Sequence, residues 1–206
     1  MRSTDDPLAR QLVELIHEGD VDGLSALLAA QPQLAGERFG SAQQSCTALH
    51  FATDWPGRFP QVARTIEVLV AAGAPVDGRF AGPHTETALH WAASSDDIAA
   101  LDALLDAGAD IEAAGAVFTN GTPLSDAVVF AQWHAARRLV ARGAAMTIWQ
   151  AAALGHLDVV QRHLDDDGRS PSDITNACWH ACRGGQLAVV QLLVAAGADL
   201  EWVGHD

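Results

Sequence analysis

The chain has 206 residues, and 26 acidic residues against 12 basic ones leave a net charge of −14 near neutral pH. A negative charge of this size repels phosphate backbones, so we do not expect nucleic acid as a partner. Every basic residue is Arg and there is no Tyr. Schiff-base lysine chemistry, a phosphate-loop lysine and a tyrosine acid are therefore excluded.

The composition also predicts where the protein works. No stretch is apolar for long enough to span a bilayer, and residues 1–6 do not form a secretion signal. The three cysteines, an odd number, suit a reducing compartment. We therefore expect a cytoplasmic protein without a membrane partner. The heavy use of Ala, Gly and Arg without Lys indicates a GC-rich, bacterial genome.

Six helix pairs are predicted along the chain. The first is indicated by Gly19-Asp20 ahead of a leucine-rich helix. The hexapeptide TALHFA at 47–52 recurs as TALHWA at 87–92, and Gly-Ala follows Thr87, Thr122 and Asn176 at the same offset of 21. We predict one domain over 1–206 with repeats starting near Arg10, Thr47, Thr87, Thr122, Met146 and Asn176.

The two hexapeptides resemble the T-P-L-H-x-A signature of the ankyrin-repeat family, with Ala in place of Pro. The resemblance implies an all-α fold, an ankyrin-repeat α-solenoid of about six helix-turn-helix units with hairpin or loop fingers between them. It also implies that Thr47 and Thr87 cap the first helix of their repeats. The histidine at position four, His50 or His90, then bonds to the backbone of the next repeat and has a structural role.

In the family, a concave groove is lined by positions five and eight of each repeat and by the fingers. Position five holds Glu14, Phe51, Trp91, Asp126, Gln150 and His180. Position eight holds His17, Asp54, Ser94, Val129, Ala153 and Arg183. The middle of the predicted groove is therefore aromatic, with carboxylates beside it.

Three insertions surround the middle of this groove. The turn at 54–60 has five extra residues, and its two prolines and two large aromatic residues predict a stiff, partly apolar turn. The fingers at 75–87 and 110–122 are each longer than the family pattern. They carry Arg79, Phe80, His84 and Glu86 in the first finger and Glu112, Phe118 and Asn120 in the second. Long fingers beside the groove would turn a trough into a pocket.

We favour a protein-protein interaction module that binds a partner through the aromatic and acidic groove of the second to fourth repeats. Aromatic side chains dominate interface energetics, and carboxylates select a partner with a basic or mixed surface. The predicted groove residues are Phe51, Asp54, Trp55, Phe80, His84, Glu86, Trp91, Ser94, Asp126, Gln150 and His180.

The alternative is a small-molecule site or an acid-base enzyme in the same groove. Its candidate catalytic residues are Asp54, His84, Glu86 and Asp126, because carboxyl groups beside an apolar floor acquire raised pKa values. The chain has no nucleophile elbow, phosphate loop, dinucleotide fingerprint or metal-ligand spacing, so we expect neither a cofactor nor a metal. Cys178 and Cys182 fall on small core positions, and we interpret both as core residues.

The end of the chain leaves three alternatives open. Residues 197–206 look like the hairpin that would open another repeat, yet no helix pair follows. A solenoid end needs a polar cap. Arg183, Gln186 and Gln191 provide that cap, or the chain is shortened, or the uncovered face meets another copy and self-association runs through the sixth repeat.

Overall fold

The computed structural model describes residues 1–166 and 170–202. Backbone contacts divide the chain into two compact units, Met1–Leu139 and Val140–Asp206, and each is described by itself. The secondary structure is almost entirely helical, as predicted. The predicted C-terminal hairpin falls partly on 203–206, which lie outside the described residues, so self-association through this end stays a prediction.

The first unit contains four helix pairs, a short 3-10 helix and a two-stranded antiparallel sheet. Its elements are α1 (Pro7–Glu18), α2 (Val21–Ala30), the 3-10 helix Pro32–Ala35, β1 (Phe39–Gly40), β2 (Ser45–Cys46), α3 (Ala48–Thr53), α4 (Val62–Ala71), α5 (Ala88–Ser94), α6 (Ile98–Asp106), α7 (Pro123–Val129) and α8 (Trp133–Ala141), whose last residues belong to the second unit. The two strands pair Phe39 with Cys46, between the first and second helix pairs.

Local capping explains why the repeated hexapeptides form helices. Thr47 is the N-cap of α3, and its backbone N–H donates to Nδ1 of His50 at 3.3 Å. Because Nδ1 accepts this bond, the imidazole proton lies on Nε2, which donates to the carbonyl oxygen of Glu86 at 3.2 Å. Thr87 and His90 repeat the cap at the start of α5.

Both histidines connect their own repeat to the finger that follows. Nε2 of His90 lies 3.3 Å from the carbonyl oxygen of Gly121, as Nε2 of His50 does from that of Glu86. Burial lowers the pKa of His50 to about 4 and also lowers the pKa of His90, so both rings are neutral at pH 7. Their predicted structural role is confirmed.

The core of the first unit consists of leucines spaced by the helical period. Seven fully buried ones are Leu12, Leu24, Leu49, Leu69, Leu89, Leu104 and Leu124. Each contributes roughly 1.5–3 kcal/mol on transfer from water. Ala52, Ala92 and Ala93 are also fully buried, and their small side chains let neighbouring helices approach closely. Packing between helix pairs therefore supplies the stability that a single short helix cannot.

The finger at 75–87 folds back on itself as a narrow hairpin. The backbone N–H of Phe80 donates to the carbonyl oxygen of Glu86 at 2.7 Å. The guanidinium of Arg79 donates to the carbonyl oxygen of Ala114 in the next finger. These bonds hold the side chains at the end of the hairpin, including Glu86, against the start of α5.

The turn at 54–60 is anchored by contacts with α1 and α6. The ring of Phe59 stacks on His17 of α1, with 4.1 Å between centroids and 8° between planes. Asp97, buried at the N-cap of α6, accepts a backbone N–H from the turn at 2.5 Å. Trp55, in contrast, is 83% exposed. The predicted stiff, partly apolar turn thus packs one aromatic ring and presents the other to solvent.

The second unit contains two helix pairs among its described residues. They are α9 (Ile148–Leu154), α10 (Leu157–Asp165), α11 (Pro171–Arg183) and α12 (Leu187–Ala195). Their buried core includes Ala151, Val160, Ala177, Val189 and Leu193. The sixth repeat was expected to start near Asn176, but α11 begins earlier, because Ser170 and Asp173 form a capping box ahead of it.

The register of the fifth repeat differs from the predicted one by one residue. In the third repeat the left-handed residue Asp96 lies nine positions after the cap Thr87, whereas in the fifth Gly155 lies eight positions after Thr147. Counted from the cap Thr147, Gln150 lies at position four of the fifth repeat. Its Oε1 accepts the backbone N–H of Thr147 at 2.8 Å, which is the bond that the histidines accept in the first unit.

In the sixth repeat, left-handed Gly185 lies nine positions after Asn176, which is the spacing of the third repeat, so this repeat shows no such shift. His180 is buried between Trp149 and Trp179, at centroid distances of 4.6 and 4.8 Å, and burial lowers its pKa to about 4. Gln150 and His180 were expected to line the groove, but both side chains are buried. The expectation that Cys182 is a core residue is wrong as well, because it is exposed.

Membrane-spanning helices and metal-binding groups are both absent from residues 1–166 and 170–202. No helix there combines the length and the apolar character that crossing a membrane requires. No group of three or more His, Cys, Asp or Glu side chains in the same ranges is arranged to hold a metal ion.

Candidate functional site

A pocket of about 290 Å³ opens in the first unit beside the finger at 75–87, and we call it the acidic pocket. Its walls come from the end of α3 and the following turn, from this finger, from α5, and from the next finger and the end of α7. The lining residues are Thr53, Asp54, Trp55, His84, Glu86, Trp91, Ser94, Ser95, Val117 and Phe130. Six of them are predicted groove residues, namely Asp54, Trp55, His84, Glu86, Trp91 and Ser94.

The repeat scaffold positions the centre of this pocket. His50 donates to the backbone carbonyl of Glu86 and so fixes where the finger ends. The edge of the His50 ring also meets Trp91 at 4.7 Å between centroids, with 84° between planes. Position four therefore holds both the finger and the aromatic wall of the pocket in place.

Glu86 is the charged centre of the acidic pocket. Only 6% of the residue is exposed, and its Oε2 accepts the indole N–H of Trp91 at 2.9 Å. The same oxygen lies 2.8 Å from Nδ1 of His84, whose ring stacks on Phe80 at 4.4 Å. His84 and Glu86 form an ion pair whenever the imidazole is protonated.

Asp126 lies behind Glu86 in the first turn of α7 and is 1% exposed. Its Oδ2 is buried without an N–H or O–H donor among the described residues. Burial raises the pKa of Asp126, and the negative charge of the neighbouring Glu86 raises it further. Two adjacent buried carboxyl groups cannot both be ionised at low cost, so Asp126 keeps a proton that it donates to Glu86.

The Glu86–Asp126 pair therefore holds one negative charge and one exchangeable proton in an enclosed site. A pair of this kind can exchange a proton with a ligand, as an acid-base catalyst requires. It can also lose its proton and accept a cation between two carboxylates. Both uses depend on Glu86, because it is the member of the pair that lines the acidic pocket.

Exposed apolar side chains surround the opening, and we call them the aromatic rim: Trp55, Val117, Phe118 and Phe130. Their exposed fractions are 83%, 42%, 70% and 41%. The rings of Phe118 and Phe130 contact each other at 5.8 Å between centroids. Soluble domains seldom leave four large apolar groups together in water without a use for them.

The remaining predicted groove residues of the first unit lie outside the lining. Phe51 packs against the buried ring of Phe39 at 5.3 Å between centroids and does not line the acidic pocket. Phe80 lies behind His84, 5.8 Å from the ring of Trp91, and so supports the wall without forming it.

Sequence reasoning missed four lining residues: Thr53, Ser95, Val117 and Phe130. Phe130 follows α7 directly as its C-cap, at a position that the family pattern does not assign to the groove. The signal that could have identified it, together with Val117, is a large apolar residue in a connection that the helical period predicts to be exposed.

Comparisons with known proteins agree with this architecture. An ankyrin-repeat family model matches residues 84–113. The chain is 33% identical over 156 residues to an ankyrin repeat and KH domain-containing protein of Caenorhabditis briggsae, which is 71% of this chain and 6% of that protein. The crystal structure of the human ASB11 ankyrin repeat domain is similar, with a TM-score of 0.59 and 22% identity over 93% of this chain and 85% of that domain.

The capped helix pairs, the histidine bonds between repeats and these similarities define the class: the chain is an ankyrin-repeat protein. The all-α ankyrin-repeat fold predicted from its hexapeptides is thereby confirmed. Ankyrin repeats are generally protein-protein interaction modules. The chain spans only 6% of the length of the curated relative that it matches.

Proposed function

We propose that this chain binds a protein partner through the acidic pocket and its aromatic rim, and that the partner presents a basic or mixed surface. The observation that carries the proposal is the arrangement of the first unit, where exposed apolar side chains surround a buried carboxyl pair. An interface centre of this type combines apolar anchors with one desolvated charge.

The energetics favour a protein segment as the ligand. A tryptophan anchor at the centre of an interface costs about 2 kcal/mol or more when it is truncated. The net charge of −14 attracts basic segments over distances of about one Debye length, roughly 8 Å at physiological salt. The rim supplies contact area and the carboxyl pair supplies selectivity.

Display selection of a random peptide library on the purified protein tests this function. We expect enriched peptides that combine basic and apolar residues and that lose at least about tenfold in affinity for Trp55→Ala. Trp179→Ala is the matched control, because it removes an exposed tryptophan of the second unit. Enriched peptides that bind wild type and Trp55→Ala equally, or no enrichment at all, would contradict the proposal.

A small-molecule or acid-base site in the same place is the second candidate. The raised pKa of Asp126 and its contact with Glu86 favour it. Against it, about 290 Å³ lies at the lower limit of drug-sized sites, which span roughly 300–1,000 Å³. A fragment screen by ligand-observed NMR on wild type and Trp91→Ala decides between them. Fragments that bind wild type alone, together with a peptide selection that yields nothing, would favour this candidate.

A further inference from the structure

We propose that the Glu86–Asp126 pair is a subsite for one arginine side chain of the partner segment, and that the guanidinium displaces the proton held between the two carboxyl groups. This inference rests on the function proposed above and names the chemistry that the pocket selects. It has its own test, which does not require a partner to be known.

Asp126 carries a buried acceptor oxygen that no donor among the described residues satisfies. Oδ2 of Asp126 is fully buried without a donor among the described residues, and its neighbour Glu86 is 6% exposed at the pocket wall. Leaving such an acceptor unpaired in a buried site costs about 1–3 kcal/mol. A cation that binds beside Glu86 favours the ionised form of both carboxyl groups.

The shape of its N–H donors favours a guanidinium over an ammonium as the ligand. A guanidinium is planar, carries five N–H groups and can bridge two carboxylates, whereas an ammonium is a compact and strongly hydrated point charge. The wall beside Glu86 is the indole of Trp91, on which a guanidinium can stack. The size of the pocket suits a single side chain rather than a whole small molecule.

Binding of an arginine changes the number of protons held by the Glu86–Asp126 pair. In the free protein the pair holds one proton and one negative charge. When the guanidinium binds Glu86 at the pocket wall, the O–H bond of Asp126 breaks, the proton passes to solvent, and Asp126 stays behind Glu86 as a second carboxylate near the cation. The bound site then carries the same net charge of minus one as the free site. One proton is released for each arginine bound.

Other charged groups face the pair and contribute to its pH dependence. They are His84 and Arg79 from the finger, His50 and Asp54 from α3 and its turn, and His90 from α5. Buried His50 and His90 are neutral at pH 7, and His84 is the histidine whose ring nitrogen lies 2.8 Å from the Glu86 carboxylate. A protonated His84 opposes the cation, which makes His84→Gln a necessary control.

The test uses NMR titration of the tryptophan indole N–H signals with Nα-acetyl-arginine methylamide. The Trp91 signal, assigned with Trp91→Phe, reports directly on Glu86 because its N–H donates to that carboxylate. We expect this signal to shift and saturate with the arginine probe and to stay unchanged with the neutral citrulline analogue. The Trp179 indole in the second unit serves as the internal control.

The carboxyl pair is tested by substitution. We expect Asp126→Asn to weaken the arginine probe by roughly tenfold to a hundredfold. Glu86→Gln is the second variant and covers the case in which Asp126→Asn fails to fold. Equal binding of citrulline, or unchanged affinity in a folded variant, would overturn the proposal. An equal response to the lysine analogue would overturn the choice of a guanidinium.

The proton step is tested by pH. In the wild type, affinity should rise with pH by at most about tenfold per unit while the pair still holds its proton, and then level off. His84→Gln should keep this slope and Asp126→Asn should lose it. A wild-type affinity that does not change with pH overturns the proton step. If selected peptides bind at Trp55 but the Trp91 indole N–H signal does not shift with the arginine probe, the proposed function stands and the arginine subsite is wrong.

Discussion

Position five of the repeat carries Trp91 and Asp126 in the third and fourth repeats of the first unit, whereas the corrected register places Ala151 there in the fifth repeat, which belongs to the second unit. The backbone is the same in these three repeats, namely a capped short helix followed by a longer one. The chemistry differs because Ala151 is fully buried and offers no polar atom. A shared scaffold therefore does not imply a shared site, and the side chain after the capping residue decides whether a repeat can bind.

The two units also differ in the exposure of a large apolar side chain in the first helix of a repeat, and this contrast predicts the largest effect. Leu89 is 1% exposed, whereas Trp179 is 45% exposed. We expect Leu89→Ala to lower the free energy of unfolding by about 2–5 kcal/mol, because it leaves a cavity. Trp179→Ala loses surface ring contacts worth about 1 kcal/mol. Urea unfolding followed by circular dichroism measures both, and equal losses would remove the contrast.

Position four provides the next test, since the first unit uses histidine and the fifth repeat uses Gln150 for the same cap. His90→Ala should cost about 1–3 kcal/mol, because it leaves buried backbone groups without a partner. His90→Gln should cost clearly less, because the amide oxygen can accept the backbone N–H of Thr87. Equal losses in urea unfolding would show that the two caps are not equivalent.

A smaller effect follows from the pH dependence of the first unit. The folded-state pKa of Asp126 is raised, so above about pH 4 the folded protein keeps a proton that the unfolded chain has lost. The free energy of unfolding should therefore fall as pH rises through that raised pKa, by at most about 1.4 kcal/mol per pH unit.

The difference between wild type and Asp126→Asn isolates this contribution. His50 has a lowered pKa and destabilises the fold as pH falls from about 6.5, but it is present in both proteins and cancels in the difference. Thermal unfolding between about pH 5 and 8 should show a flatter profile for the variant. Parallel profiles would mean that Asp126 is ionised in the folded state.

The smallest effect is expected at the aromatic rim. Trp55 is 83% exposed, so Trp55→Ala should change the free energy of unfolding by no more than about 0.5 kcal/mol. This makes it a variant that tests binding without disturbing the fold. A loss above about 1 kcal/mol would show that the ring packs against the first unit in solution.

Much of the scaffold could be predicted because its signals are local. Thr47 and His50 are three residues apart and satisfy each other within one turn, so the hexapeptide alone specifies the cap. The second unit was less predictable. The fifth repeat was placed near Met146 from the helix pattern that follows Gly155, but its N-cap is Thr147, and the sixth repeat has lost the letters of the hexapeptide near Asn176.

The site was predictable as a list of residues but not as an arrangement. His84, Glu86 and Asp126 were named as candidates, and the structure brings them together. Phe51, chosen by the same positional rule as Trp91, instead packs against Phe39 and lies outside the pocket lining. The rule assigns a face of the helix, and the neighbouring loops decide which residues of that face line a pocket.

The sequence by itself determined the helix pairs, their caps and the structural role of His50 and His90, because bonds within a few residues and a periodic apolar face specify them. Only the tertiary structure decided that Glu86 and Asp126 share one proton. These two residues lie forty positions apart, and neither carboxyl group has a perturbed environment until stacking of the repeats excludes water from both.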